Sequence, residues 1–181
     1  MIGTVMSKMI TYLGTDTYRI HHAMKVYGFA TALWDEEAAA RGLSDEDERK
    51  ETLLLASILH DIGVLEAERK HNSNEGRFQE MEGPAVAEAI LESCAIESRI
   101  RARVCYLVGH HHSYHLIDDL DFQILSEAEE LVNLEEEQID LHTILAARKI
   151  SMRSAGAVRL LDSYLLRAHS PETISACAAS M

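Results

Sequence analysis

Proline is scarce in this sequence: two in 181 residues, Pro84 and Pro171. Alternating runs of β-branched residues are missing, which removes the usual signature of a sheet and leaves helix as the default for nearly every segment. Cysteine is scarce too. Cys94, Cys105 and Cys177 are odd in number and widely spaced, so the expectation is reduced, mostly buried thiols of a cytoplasmic protein rather than a disulfide framework. No apolar run approaches the roughly 18 residues of a membrane span. The opening MIGTVMSKMITYL carries one lysine and repeated polar breaks, poor material for a signal peptide. Positive charge is the last deficit: 17 Lys and Arg stand against 30 Asp and Glu, a net charge of -13. Nucleic-acid polymers and anionic membranes select basic surfaces, so neither is expected as a partner. Small phosphorylated molecules stay open, because a bound cation can reverse the field locally.

What is present fits a globular domain: 47% hydrophobic and 26% charged residues, on a chain long enough for one core. The pattern predicts helices over about 2–13, 16–40, 45–60, 84–93, 96–109, 122–134, 138–151 and 156–168. Thr15 or Asp16 is the expected cap of the second, whose apolar stripe is Val26, Phe29, Ala30 and Leu33; Ser44 is the expected cap of the third. Pro84 suits a first helical turn. The polar segment between Gly63 and Gly83 has no sustained period and reads as a long loop, functional or mobile. The fold class is all-α: a single compact helical bundle over 1–169, with 170–181 as a frayed tail. Leu160, Leu161, Tyr164 and Leu165 would close that core or join a homodimer.

The most apolar run, LLLASILHDIG, ends in His60, Asp61, Ile62 and Gly63. A carboxylate in an apolar setting is costly unless it is paired, hydrogen-bonded or bound to a metal. Ten histidines are many for this length, and they cluster: His21 and His22 in the second helix, His110, His111, His112 and His115 in one loop. Imidazole is the commonest metal ligand, and carboxylates complete divalent sites. Each feature also has a plainer reading. His22 shares a stripe with Val26 and Ala30, as a hydrogen-bonded core histidine would. The HHHSYH loop could be solvated. The acidic runs DEEAAARGLSDEDERKE and LEEEQID read as exposed helix faces, and Cys94 and Cys105 as buried fillers.

Order and spacing say more. RIHHAMKV supplies Arg19, His22 and Val26; an apolar helix ends in His60-Asp61-Ile62-Gly63; GPAVAEAIL follows; then come Val108, His111 and His112; and SEAEELVNL carries Ala128, Glu129 and Asn133. In this order the motifs resemble the HD superfamily of metal-dependent phosphohydrolases over most of the chain. The resemblance implies a divalent metal held by His22, His60, Asp61 and the acid at 129, where the family pattern has Asp and this chain has Glu, one methylene longer. Glu130 or a water would be the substitute if Glu129 fails to reach. Some dinuclear members place a further histidine near the positions of Gln79 and Glu80. Glu80 with His111 and His112 would form that second site here, although one ion is expected rather than two.

Imidazoles and carboxylates without thiolate favour manganese, iron, cobalt, nickel or zinc over magnesium. Asp61 would also orient the attacking water, with Glu80 or His111 as general base. Phosphoryl charge calls for cations. Arg19 and Lys25 flank His22 by one turn, and Arg69, Lys70, His71 and Arg77 form a basic island that would close as a lid, unless Arg69 and Lys70 simply pair with Glu66 and Glu68. Asn133 matches a position near the nucleotide in alarmone hydrolases of the same fold. The expected function is hydrolysis of a small phosphorylated substrate, a nucleotide or phosphomonoester. The alternatives are a di-iron oxygenase and a degenerate nucleotide-binding module.

Overall fold

A helix buried on all sides over its last two turns forms the axis of the molecule. In the computed structural model, which describes residues 1–44 and 47–179, α3 (Glu48–Leu59) buries every residue from Thr52 to Leu59. A helix apolar on all sides must be enclosed on all sides. Its neighbours are α1 (Ile2–Leu13), α2 (Thr17–Arg41), α6 (Ser98–Val108) and α7 (Leu120–Glu136). Asp16 caps α2 by accepting the Arg19 N–H, as the sequence suggests. Val26, Ala30 and Leu33 are buried, while Phe29 tilts onto Tyr164 of α9 (Ala155–Tyr164) with ring centroids 5.3 Å apart. The cap of α3 is Asp47, which accepts the Arg49 N–H, and not Ser44; the expected start at 45 lies outside the described residues.

The larger difference concerns 63–83. That stretch is α4 (Val64–His71) and the first half of α5 (Gly76–Ser93), joined by a short turn through Asn72. Few apolar residues of α4 are buried, Val64 and Ala67, so no hydrophobic period marks it. Charge and stacking hold it instead. Lys70 and His71 both bond Glu82 of α5, the latter at 2.9 Å, and the His71 ring stacks on Phe78 at 4.3 Å. Pro84 therefore sits inside α5 rather than at its start.

Two glycines fix how α5 crosses the end of α3. A Cβ on Gly63 would lie 2.5 Å from both the Gln79 carbonyl oxygen and the Gly83 nitrogen. Backbone meets backbone there, and only glycine allows it. This contact seats α5 directly beside His60 and Asp61.

The remaining elements are α8 (Leu141–Ile150), α9, α10 (Pro171–Ala179) and 3-10 turns at Tyr114–Leu116 and Leu166–Ala168; no strand occurs among the described residues. Leu161 is buried where α9 meets α2 and α7, so this helix closes the core, with Tyr164 left exposed. The expected frayed tail contains α10, which lies against α8 and buries none of its residues. Among the described residues, no helix is long and apolar enough to cross a membrane.

Candidate metal centre

Three histidines on different elements turn the same ring nitrogen toward one place. His60 caps the C-terminus of α3, is fully buried, and sets its Nδ1 3.0 Å from the Ser57 carbonyl. A carbonyl can only accept, so Nδ1 carries a proton, and in the neutral ring the lone pair lies on Nε2. His111, just beyond α6, is equally buried and uses Nδ1 on the Val108 carbonyl at 2.8 Å. His22 on α2 sets Nδ1 2.9 Å from Glu136 Oε2 at the end of α7. The Nε2 atoms of His22 and His60 then face each other at 3.2 Å.

Asp61 lies among them. Its Oδ2 is 3.7 Å from His22 Nε2 and 3.5 Å from His60 Nε2, and its Oδ1 is 3.4 Å from His111 Nε2. Two groups of donor atoms result, His22–His60–Asp61 and Asp61–His111–His112, each with its atoms within 4.8 Å of one another. Asp61 belongs to both.

These residues fit a metal ion. Two imidazole Nε2 atoms at 3.2 Å need a proton or a metal cation between them, and donors sharing one ion at about 2.1 Å stand about that far apart. The Nε2 atoms of His111 and His112 and Oε2 of Glu129 are buried with no hydrogen-bond partner, an arrangement that costs stability unless something else satisfies them. Each Nδ1 partner fixes a tautomer and ring orientation, as outer-shell groups do for metal ligands.

The electrostatics agree. Burial would raise the Asp61 pKa, but the imidazoles of His60 and His111 beside it hold it well below the usual carboxylate range. Burial disfavours a charged His60, yet Asp61, and Glu129 behind it, carry its pKa up to about 9. His111 is raised against its burial by the same two carboxylates, while burial and His111 push His112 down. The centre attracts positive charge, whether it comes as protons or as metal.

Glu129 is 2% exposed on α7. Its Oε1 lies 3.7 Å from His112 Nδ1, and it belongs to neither close donor group. The longer side chain is thus drawn to the His111–His112 side. Gly76 makes room on that side, since a Cβ there would come within 2.4 Å of His112 Cδ2.

A cavity of about 290 Å³ opens on the centre, lined by Tyr18, Arg19, His22, Asp61, Val64, Asn74, Gln79, His112, Glu129, Asn133 and Glu137. Of the residues expected to meet a substrate, Arg19 and Asn133 line it. Arg19 is bonded to Asp16 and, at 2.7 Å, to Glu68. Lys25 donates to Glu135 at 2.7 Å and Glu136 at 3.1 Å. Lys70 pairs with Glu82 and Glu66, Arg69 with Glu66, and Arg77 lies 3.0 Å from Glu75 and over the Phe78 ring. The basic island is thus a set of ion pairs on the α4–α5 surface. Glu80 accepts the His112 N–H at 3.1 Å and the Ser113 hydroxyl at 3.3 Å, so it holds the histidine turn rather than lining the cavity.

Glu136, Tyr18, Asn74 and Gln79 were not among the site residues expected from sequence. Glu136 falls in LEEEQID, read as an exposed face, yet only 8% of its side chain is exposed. Helical spacing could have found it: seven residues after Glu129, it returns to the same face of α7.

The model of the HD domain matches residues 19–151, so this chain belongs to the HD domain family, whose members are mostly metal-dependent hydrolases. The match begins at Arg19 and takes in every donor described above. No curated protein and no solved structure matches the chain.

Proposed function

We propose that this protein is a metal-dependent phosphohydrolase acting on a small phosphorylated substrate, a phosphomonoester or nucleotide. The observation that carries the reading is the 3.2 Å approach of two imidazole Nε2 atoms beside a carboxylate shared with a second histidine pair. His22, His60 and Asp61 would hold one divalent ion, and Asp61, His111 and His112, with Glu129 beside them, a second. The shared Asp61 supports two ions over the single one expected from sequence. Nitrogen and carboxylate donors without thiolate suit manganese, iron, cobalt, nickel or zinc.

When bound, such ions supply hydroxide from water at neutral pH and polarise phosphoryl oxygens. The chain does the rest. Asp61 orients the donor groups around one point, Glu136 keeps the His22 proton on Nδ1, and Ser57 and Val108 do the same for His60 and His111. Glu129, with Oε2 buried and unpartnered, would complete the second group beside His112. Tyr18, Arg19 and Asn133 surround the space where the substrate would lie.

Elemental analysis of protein purified without chelators, beside His60→Ala, tests the metal. A panel of phosphomonoesters and nucleotides with that metal tests the reaction. About two ions per chain, lost in the variant, with phosphate released, is the expected result. Absence of metal even after manganese soaking, or absence of phosphate release where a known relative is active, overturns the reading. The shared Asp61 also suits di-iron oxygenase chemistry, which would appear instead as oxygen consumption by the reduced iron form.

A further inference from the structure

Gln79 is fixed more firmly than a surface glutamine needs to be. Its backbone carbonyl is pressed against Gly63, where a Cβ would come within 2.5 Å. Its side-chain Nε2 donates to the Asn74 carbonyl at 2.8 Å. The remaining atom, Oε1, is buried without a hydrogen-bond partner in a residue that lines the cavity beside Asp61. An amide oxygen can only accept, so this atom selects a ligand that brings a hydroxyl or N–H to it.

The charge around it narrows the choice. Asp61, Glu129 and Glu137 line the same cavity, and among the described residues Arg19 is the one Lys or Arg that does. Both terminal nitrogens of Arg19 already donate, to Asp16 and Glu68. Lys25, Lys70 and Arg77 pair with carboxylates outside the lining. A monoester places its few charges on the metal centre alone, whereas a triphosphate would extend further negative charge past Glu137, where Arg19, already paired with Asp16 and Glu68, is the one cation of the lining among the described residues. The volume, about 290 Å³, lies just below the roughly 300–1,000 Å³ of ligand pockets.

Resting on the phosphohydrolase reading, we infer that the substrate is a phosphomonoester of a hydroxyl-bearing alcohol, a sugar phosphate or nucleoside monophosphate, and that Gln79 Oε1 accepts a hydroxyl of that alcohol. Gln79 is a specificity-determining residue and not a metal ligand. Its loss should penalise only substrates that carry the hydroxyl.

The test uses the metal-loaded full chain, with metal content checked, and three probes: ribose 5-phosphate, p-nitrophenyl phosphate and ATP. Gln79→Leu keeps the side-chain size and removes the acceptor. The expected wild-type result is a kcat/KM for ribose 5-phosphate at least about tenfold above that for ATP. The variant should lose about tenfold or more on ribose 5-phosphate, the worth of one buried hydrogen bond, and change less than about twofold on p-nitrophenyl phosphate. Calorimetric titration with the non-hydrolysable phosphonate analogue of ribose 5-phosphate should show the same selective loss in binding. Preference for ATP, or equal losses on both monoesters, overturns the inference while leaving the phosphohydrolase reading in place. Metal-loaded wild type that cleaves none of the three overturns both.

Discussion

Glu136 accepts the Nδ1 proton of His22 at 2.9 Å although the two residues are 114 positions apart in the chain. The same carboxylate takes a hydrogen bond from Lys25 at 3.1 Å. The last residue of α7 thereby orients a donor on α2 and holds Lys25, one turn further along the same helix.

Removing that carboxylate should loosen the metal and leave the fold. Glu136→Ala is expected to weaken metal affinity by about 10- to 100-fold, the usual cost of losing an outer-shell partner. Glu136→Gln keeps an acceptor for Nδ1 and should lose much less. Metal titration of both variants checks this, with helical circular dichroism as the control; equal affinities in the wild type and both variants would contradict the arrangement.

Metal should also stabilise the fold. An ion that binds the native state and not the unfolded chain adds about RT ln(1 + [L]/Kd), about 2.7 kcal/mol at a hundredfold excess over Kd. Chelation is therefore expected to lower Tm, readdition of manganese or zinc to restore it, and His60→Ala to abolish most of the response. A Tm indifferent to chelator and metal in the wild type would count against the site.

The crossing of α5 over the end of α3 gives a prediction that needs no ligand. Gly63→Ala places a methyl 2.5 Å from two backbone atoms, a clash relieved only by moving α5, and should cost about 3 kcal/mol or more. Gly28→Ala, in the middle of α2 with nothing within 4 Å of its Cβ, should stabilise by about 0.5–1 kcal/mol through helix propensity. Denaturant unfolding of the two variants makes the comparison.

Cys105 supplies a pH dependence away from the centre. Burial, together with Glu88, whose carboxylate accepts the thiol proton at 3.5 Å, pushes its pKa up to about 12. The thiolate is the reactive form, and a raised pKa leaves it scarce until pH nears that value. Alkylation by iodoacetamide at pH 8 should be slow at Cys105 and faster in Glu88→Ala, as read by mass spectrometry of the labelled peptides.

Apolar periodicity made α1 and α2 legible in the sequence, and the resemblance carried by the order of histidines and acids implied a centre of His22, His60, Asp61 and Glu129; the structure gathers the first three and leaves Glu129 outside both close donor groups. Period fails where charge does the holding. With few buried apolar residues, α4 owes its place to Lys70 and His71 on Glu82, pairings between segments that no local pattern announces. The same pairings consume the basic residues that looked available for phosphate. Pro84 misled because its lack of an N–H suits a first turn, while in the folded chain the Gly63–Gly83 contact carries the helix back through it. Glu135, Glu136 and Glu137 are alike in composition, and the face shared with Glu129 at helical spacing is what singles out Glu136 as the one that reaches His22.

Gly76 carries a consequence for the second donor group. The His112 ring occupies the space that a side chain at 76 would take. Glycine leaves that berth open. Gly76→Ala would make the ring give way, and the expected outcome is a weakened Asp61–His111–His112 group beside an intact His22–His60–Asp61 group. One small residue, outside the His-Asp signature that draws the eye, thus bears on how many ions the centre would accept.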